Sequence, residues 1–160
     1  MQRSFAGSKV KSVRLSFDLF MAIAPTGKRP PRAISMRLKT TSSENRISLL
    51  VKPEETVLEE FFKTDTGKQY INHGFGARRP EIGRWAHIDI GLTNAEADDG
   101  VDAGAARRLT ASMDGTSLID HARVGDGTLD EIALFVGILE PAEWNEGWRY
   151  HYDNIVFDAR

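Results

Sequence analysis

Hydrophobic residues recur at every second position through most of the chain. In SVRLSFDLFMAI, Val13, Leu15, Phe17, Leu19 and Met21 share one face, and Arg14, Ser16 and Asp18 take the other. That alternation is the mark of a half-buried strand. After the proline- and glycine-punctuated stretch PTGKRPPR, AISMRLKT sets Ile34, Met36 and Leu38 against Ser35, Arg37 and Lys39, and RISLLVK lines up Ile47, Leu49 and Val51. PEETVLEEFFK reads two ways. Pro53 and the following acids suit a helix start. A strand over Val57–Phe62 fits its strand neighbours better and is the reading taken here. QYINHGF continues the pattern. IGRWAHIDIGL puts Ile88, Ile90 and Leu92 opposite Trp85, His87, Asp89 and Gly91. RLTASMDGTSLID reads as a hairpin turning at Asp114-Gly115, and DEIALFVGIL adds Ile132, Leu134 and Val136.

The last stretch, GWRYHYDNIVFDAR, breaks the rule in its middle. Trp148, Tyr150 and Tyr152 stand at even positions, and Ile155 and Phe157 at odd ones. A slip of one residue turns every later side chain to the other face. A β-bulge at Asp153-Asn154 returns both halves to the core, and Asn and Asp accept the left-handed backbone that a bulge needs. The sum is about ten short strands and at most one short helix. It predicts an all-β fold, a two-sheet antiparallel jelly-roll sandwich, in a single domain over 1–160 with its core at about 12–158.

Composition narrows the chemistry. No cysteine occurs, which removes disulfides, thiolate nucleophiles and Cys-based metal sites. No apolar run is long enough for a transmembrane helix, and the first residues lack the apolar core of a signal peptide. The net charge of −2 hides an asymmetry: residues 1–39 carry +8 and the remainder −10. The only aromatic residues in that stretch are Phe5, Phe17 and Phe20, and none interleaves the basic runs KRPPR and MRLK, so a nucleic-acid face is not expected. Protection of exposed strand edges explains them better.

Three stretches in this order, GRWAHIDIGL, LTASMDGTSLID and WRYHYDNIVFD, resemble the concanavalin A-like lectin and glucanase superfamily, in particular its laminin-G-type jelly rolls. The resemblance implies two antiparallel sheets, an extracytoplasmic or bacterial-surface setting, and binding of carbohydrate or protein. It also implies that Trp85, at the motif position, packs structurally. Polysaccharide-cleaving members of that superfamily carry Glu-x-Asp-x-x-Glu on one strand. Around Asp89, His87 and Leu92 stand where the two glutamates belong. The acid and nucleophile of retaining hydrolysis are therefore missing.

His73, His87, His121 and His151 each stand alone in sequence, with no serine-hydrolase elbow and no zinc motif. Calcium is the cofactor the resemblance admits. Asp98, Asp99 and Asp102 in ADDGVDAG do not follow the twelve-residue calcium loop and read as a solvated acidic loop, so no cofactor is required. The expected function is a non-catalytic, lectin-like module for a glycan or cell-surface partner. Trp144, a tryptophan among polar residues, is its leading ligand contact. Asn72, His73, Arg78 and Arg79 are the polar candidates. The alternative is a protein-interaction domain using the basic first strands.

Overall fold

The computed structural model describes residues 2–6, 12–22, 32–39, 44–51, 55–64, 67–94, 107–124, 131–139 and 149–160. It is an all-β, two-sheet antiparallel jelly roll, with no helix among the described residues. The strands are β1 Gln2–Ala6, β2 Ser12–Met21, β3 Arg32–Lys39, β4 Glu44–Val51, β5 Thr56–Thr64, β6 Gly67–Gly74, β7 Trp85–Asn94, β8 Arg107–Met113, β9 Thr116–Val124, β10 Glu131–Leu139 and β11 Tyr150–Ala159. One sheet has six strands in the order β1-β10-β3-β4-β5-β6. The other has five, β11-β2-β7-β8-β9.

The alternation read from the sequence becomes the core. Val13, Leu15, Phe17, Leu19 and Met21 of β2 meet Ile88, Ile90 and Leu92 of β7 within one sheet. Across the interior they face Ile34, Met36, Ile47, Leu49 and Leu58 of the other. Apolar side chains on one face of each sheet have nowhere else to leave water, and that burial joins the layers. Within PEETVLEEFFK the chain enters strand β5 at Thr56, with Val57 and Leu58 both buried. The β8–β9 hairpin turns at Asp114 (φ 51) and Gly115 (φ 74), two left-handed residues that match the twist of the flanking strands. The short β1, with no alternation long enough to read, pairs with β10 and brings the strand count among the described residues to eleven.

The bulge lies where the slip in alternation puts it. Asp153 pairs with Asp18 and Val156 with Ser16, so β11 carries one extra residue. Asn154 is left-handed (φ 49), and its amide N–H donates to Asp153 Oδ1 at 2.8 Å. Tyr150 and Tyr152 before it, and Phe157 and Ala159 after it, pack on the core. Ile155 differs from expectation: it lies within the shift, stays 36% exposed, and core contact resumes only at Phe157. Trp148, expected beside Tyr150, lies outside the described residues. So do the acidic loops around Asp98 and Asp126. Of the basic residues in 1–39, only Arg14 has a described side chain, and it is paired with Asp89.

Candidate functional site

The β6–β7 connection is pinned at several points. Phe75 is buried, and its N–H donates to the Thr56 carbonyl at 2.8 Å. The Arg78 N–H closes a turn onto the Phe75 carbonyl. Gly83, at φ 76, donates to the Met21 carbonyl at 2.9 Å, and Ile82 bridges to Met21. Only glycine adopts that φ without strain, so the chain turns there and delivers Trp85 to the start of β7. The opposing β8–β9 turn is held by a reciprocal pair. The Asp114 N–H donates to the His87 carbonyl, and the His87 N–H donates to Asp114 Oδ1, both at 2.8 Å.

Between these two loops opens a cleft of about 750 Å³, walled by Arg78, Arg79, Glu81, Arg84, Trp85 and Asp114. Its size falls in the range of small-molecule sites. The motif tryptophan does not pack inside, contrary to what the resemblance implies. Trp85 belongs to the outward row of β7, is 52% exposed, and rests on Phe20 with ring centroids 5.3 Å apart. Phe20 leans in turn on His151 at 5.7 Å. Phe20 thus braces the indole at a tilt of 50° while much of the ring stays in solvent. Arg84 Nη1 is held by Glu81 Oε2 at 2.8 Å. Planar guanidinium groups beside an accessible aromatic ring supply two things a sugar needs: a surface for C–H stacking and forked donors for paired hydroxyls.

The candidates read from the sequence fall in three places. Arg78 and Arg79 are exposed and line the cleft. Asn72 is exposed on the outer face of the six-stranded sheet, opposite Glu59 and on the same face as Tyr70. His73, its neighbour in sequence, points to the other face, and its Nε2 lies 3.2 Å from Oε2 of the buried Glu60. Trp144 lies outside the described residues.

His73, His87 and His151 are not solitary once folded. The outward residues of β2 and β7 form a line of polar contacts beneath the cleft. His87 Nδ1 lies 2.6 Å from Asp18 Oδ1, and its Nε2 is 3.2 Å from Ser16 Oγ and 3.3 Å from Asp89 Oδ2. Arg14 reaches Asp89 Oδ1 through Nη2 at 2.8 Å and through Nε at 3.2 Å. The bulge residue Asn154 donates through Nδ2 to Asp18 Oδ2 at 2.6 Å. Sequence distance concealed this cluster, since Asp18 and His87 meet only through the β2–β7 register.

Ser16, His87 and Asp18 stand in the order of a nucleophile, base and orienting acid. The surroundings do not suit acyl transfer. Ser16 is only 7% exposed, its hydroxyl is shared with the Asp89 carboxylate, and β2 is paired along both edges, which occupies its backbone N–H groups. The arrangement instead favours the protonated form of His87, with a carboxylate near each ring nitrogen. Its hydrogen bond to Asp18, aided by Asp89, raises the His87 pKa. Asn154 and His87 hold Asp18 below the usual carboxylate range. For Asp89, burial pushes upward, but the hydrogen bonds from Arg14 and Ser16 prevail and its pKa falls.

Stability should follow these directions. The His87 contribution is fully present below the ordinary histidine value of 6.5 and is lost as pH rises through the raised folded value. The Asp18 and Asp89 contributions are present above the ordinary 3.8 and are lost as pH falls through their lowered values. The melting temperature should therefore peak between these limits and decline on the alkaline side. His87→Gln should flatten that alkaline decline when melting is followed by circular dichroism from pH 4 to 10. An unchanged profile would show that His87 does not carry it.

No protein-family model matches the chain, and none of the curated proteins matches it in sequence. Solved structures share its fold. A functionally unknown protein from Saccharomyces cerevisiae is 8% identical with a TM-score of 0.54, covering all of this chain and 74% of that one. An alginate lyase from Chlorella virus is 13% identical with a TM-score of 0.52, covering 99% and 76%. Scytalido-glutamic peptidase is 8% identical with a TM-score of 0.51, covering 98% and 78%. Within this fold, function resides in the site rather than in the sandwich.

Proposed function

We propose that the protein is a non-catalytic, lectin-like jelly-roll module of the concanavalin A-like kind, and that it binds a glycan in the cleft headed by Trp85. The carrying observation is a tryptophan 52% exposed at the edge of a cavity of about 750 Å³ and braced from behind by Phe20. An exposed indole on a rigid strand loses little conformational freedom when a sugar ring stacks on it. Arg78, Arg79 and Arg84 supply donors around it, and Glu81 and Asp114 supply acceptors. An alginate lyase shares the fold, so polysaccharide recognition has precedent on this scaffold. Its setting outside the cytoplasm is part of the same proposal.

A glycan array carrying neutral and acidic sugars, followed by titration calorimetry on the best ligand, tests this reading. Trp85→Ala should weaken binding about thirtyfold, the loss of a central aromatic contact worth roughly 2 kcal/mol. Absence of any glycan ligand, or a Trp85→Ala protein that binds as well as the parent, would overturn it.

A further inference from the structure

A second depression lies farther along the same outer face. It has a volume of about 570 Å³, and Arg14, Asp89, Gly91, Thr110, Ser112 and Ser117 stand around it. The cross-strand register explains the hollow. Arg14, Gly91 and Thr110 lie side by side on β2, β7 and β8, and Asp89, Ser112 and Ser117 form the adjoining rung on β7, β8 and β9. Gly91 adds no side chain to the first rung, and the Thr110 hydroxyl leans over it. A Cβ built there would come within 2.5 Å of Thr110 Oγ1, so any other residue at this position fills the space or displaces that hydroxyl.

The lining is hydroxyl-rich, and its charges largely cancel. Arg14 is bonded to Asp89, Arg160 is bonded to Asp158 at 2.8 Å at the far end, and Asp120 leaves the lining with one net negative charge. Hydroxyls with paired carboxylate and guanidinium groups suit an uncharged polyol better than an anion or an apolar chain. Trp85, His87, Asp89 and Gly91 share one face of β7, so the hollow lies about 20 Å from the tryptophan along one strand. The polar line at His87 fills the interval.

We infer that the hollow at Gly91 is a second carbohydrate subsite, and that the outer face of the five-stranded sheet binds an uncharged glycan chain running along β7 from Trp85 to Gly91. This rests on the glycan reading of the cleft and extends it from capture of one sugar to recognition of a chain.

The test is calorimetry with neutral gluco-, manno- and xylo-oligosaccharides graded from disaccharide to octasaccharide, on the intact chain. Affinity should climb with length until both ends are engaged. Ser117→Tyr places a bulky ring in the hollow from an exposed hairpin position. It should weaken the longest oligosaccharide about tenfold, as expected when one or two ligand hydrogen bonds go, and leave the disaccharide unchanged. Gly91→Ala, checked for an unaltered melt, should act in the same direction. Trp85→Ala should weaken every length. Affinity that levels off at the disaccharide, or long chains indifferent to Ser117→Tyr and Gly91→Ala, would overturn the second subsite and leave the cleft standing. Binding confined to acidic glycans would also overturn it. Failure of every glycan would instead remove the functional reading on which it rests.

Discussion

Replacing His73 by leucine should destabilise the protein by about 3–5 kcal/mol, although His73 is only partly buried. The cost arises at its partner. Glu60 is 1% exposed and sits on the core side of β5, in the same row as Leu58. His73 Nε2 lies 3.2 Å from its Oε2. Removing the imidazole strands a carboxyl group away from water, and a buried polar group without its partner costs far more than the bond itself contributed. The double variant Glu60→Leu/His73→Leu should recover most of the loss, because two apolar side chains of similar bulk leave nothing unsatisfied. Urea unfolding of the parent, both single variants and the double variant measures the coupling directly. A double variant as unstable as His73→Leu would show that the pair is not what the single substitution disturbs.

Phe17→Ala should cost a similar 3–5 kcal/mol for a different reason. Phe17 is fully buried, pairs in register with Ile88, and lies 6.4 Å from the ring of Tyr152. Its removal leaves a void between the sheets that strands paired on both edges cannot close. At about 2–4 °C per kcal/mol for a domain of this size, the melting temperature should fall by roughly 6–20 °C. Phe20→Ala, three positions along the same strand, is the control. Phe20 faces outward beneath Trp85, so its loss should spare most of the stability and loosen the tryptophan instead. Equal destabilisation by the two substitutions would contradict the assignment of faces.

Strand periodicity made most of the fold legible. A period of two is a local property, and the residues of β2 and β7 that alternate in sequence are the residues that fill the core. The bulge was legible for the same reason: a slip in a regular pattern is itself a signal, and Asn154 is the residue type that accommodates it. The β1 strand was not, since five residues are too few for the pattern to declare itself. The site was legible only in pieces. Arg78 and Arg79 stand between the glycines and proline of GFGARRP, which mark a loop, but Asn72 and His73, adjacent in sequence, lie on a strand whose neighbours face opposite ways. The motif position of Trp85 implies a packing role, and its exposure follows from where β7 begins relative to Phe20. The His87 cluster depends on contacts between residues about seventy positions apart, which no local pattern encodes.

The pairing order also governs how the chain must come together in time. Strand β2, which carries the core row from Val13 to Met21, takes its neighbours from β7 and β11, and β10 joins β1 to β3. At a synthesis rate of about 5–20 residues per second, β7 emerges several seconds after β2, and β11 later still. Throughout that interval the row from Val13 to Met21 has no partner on either edge. Connections this distant in sequence make for slow folding. Nascent β2 is therefore the segment whose apolar row waits longest for its edge partners during synthesis.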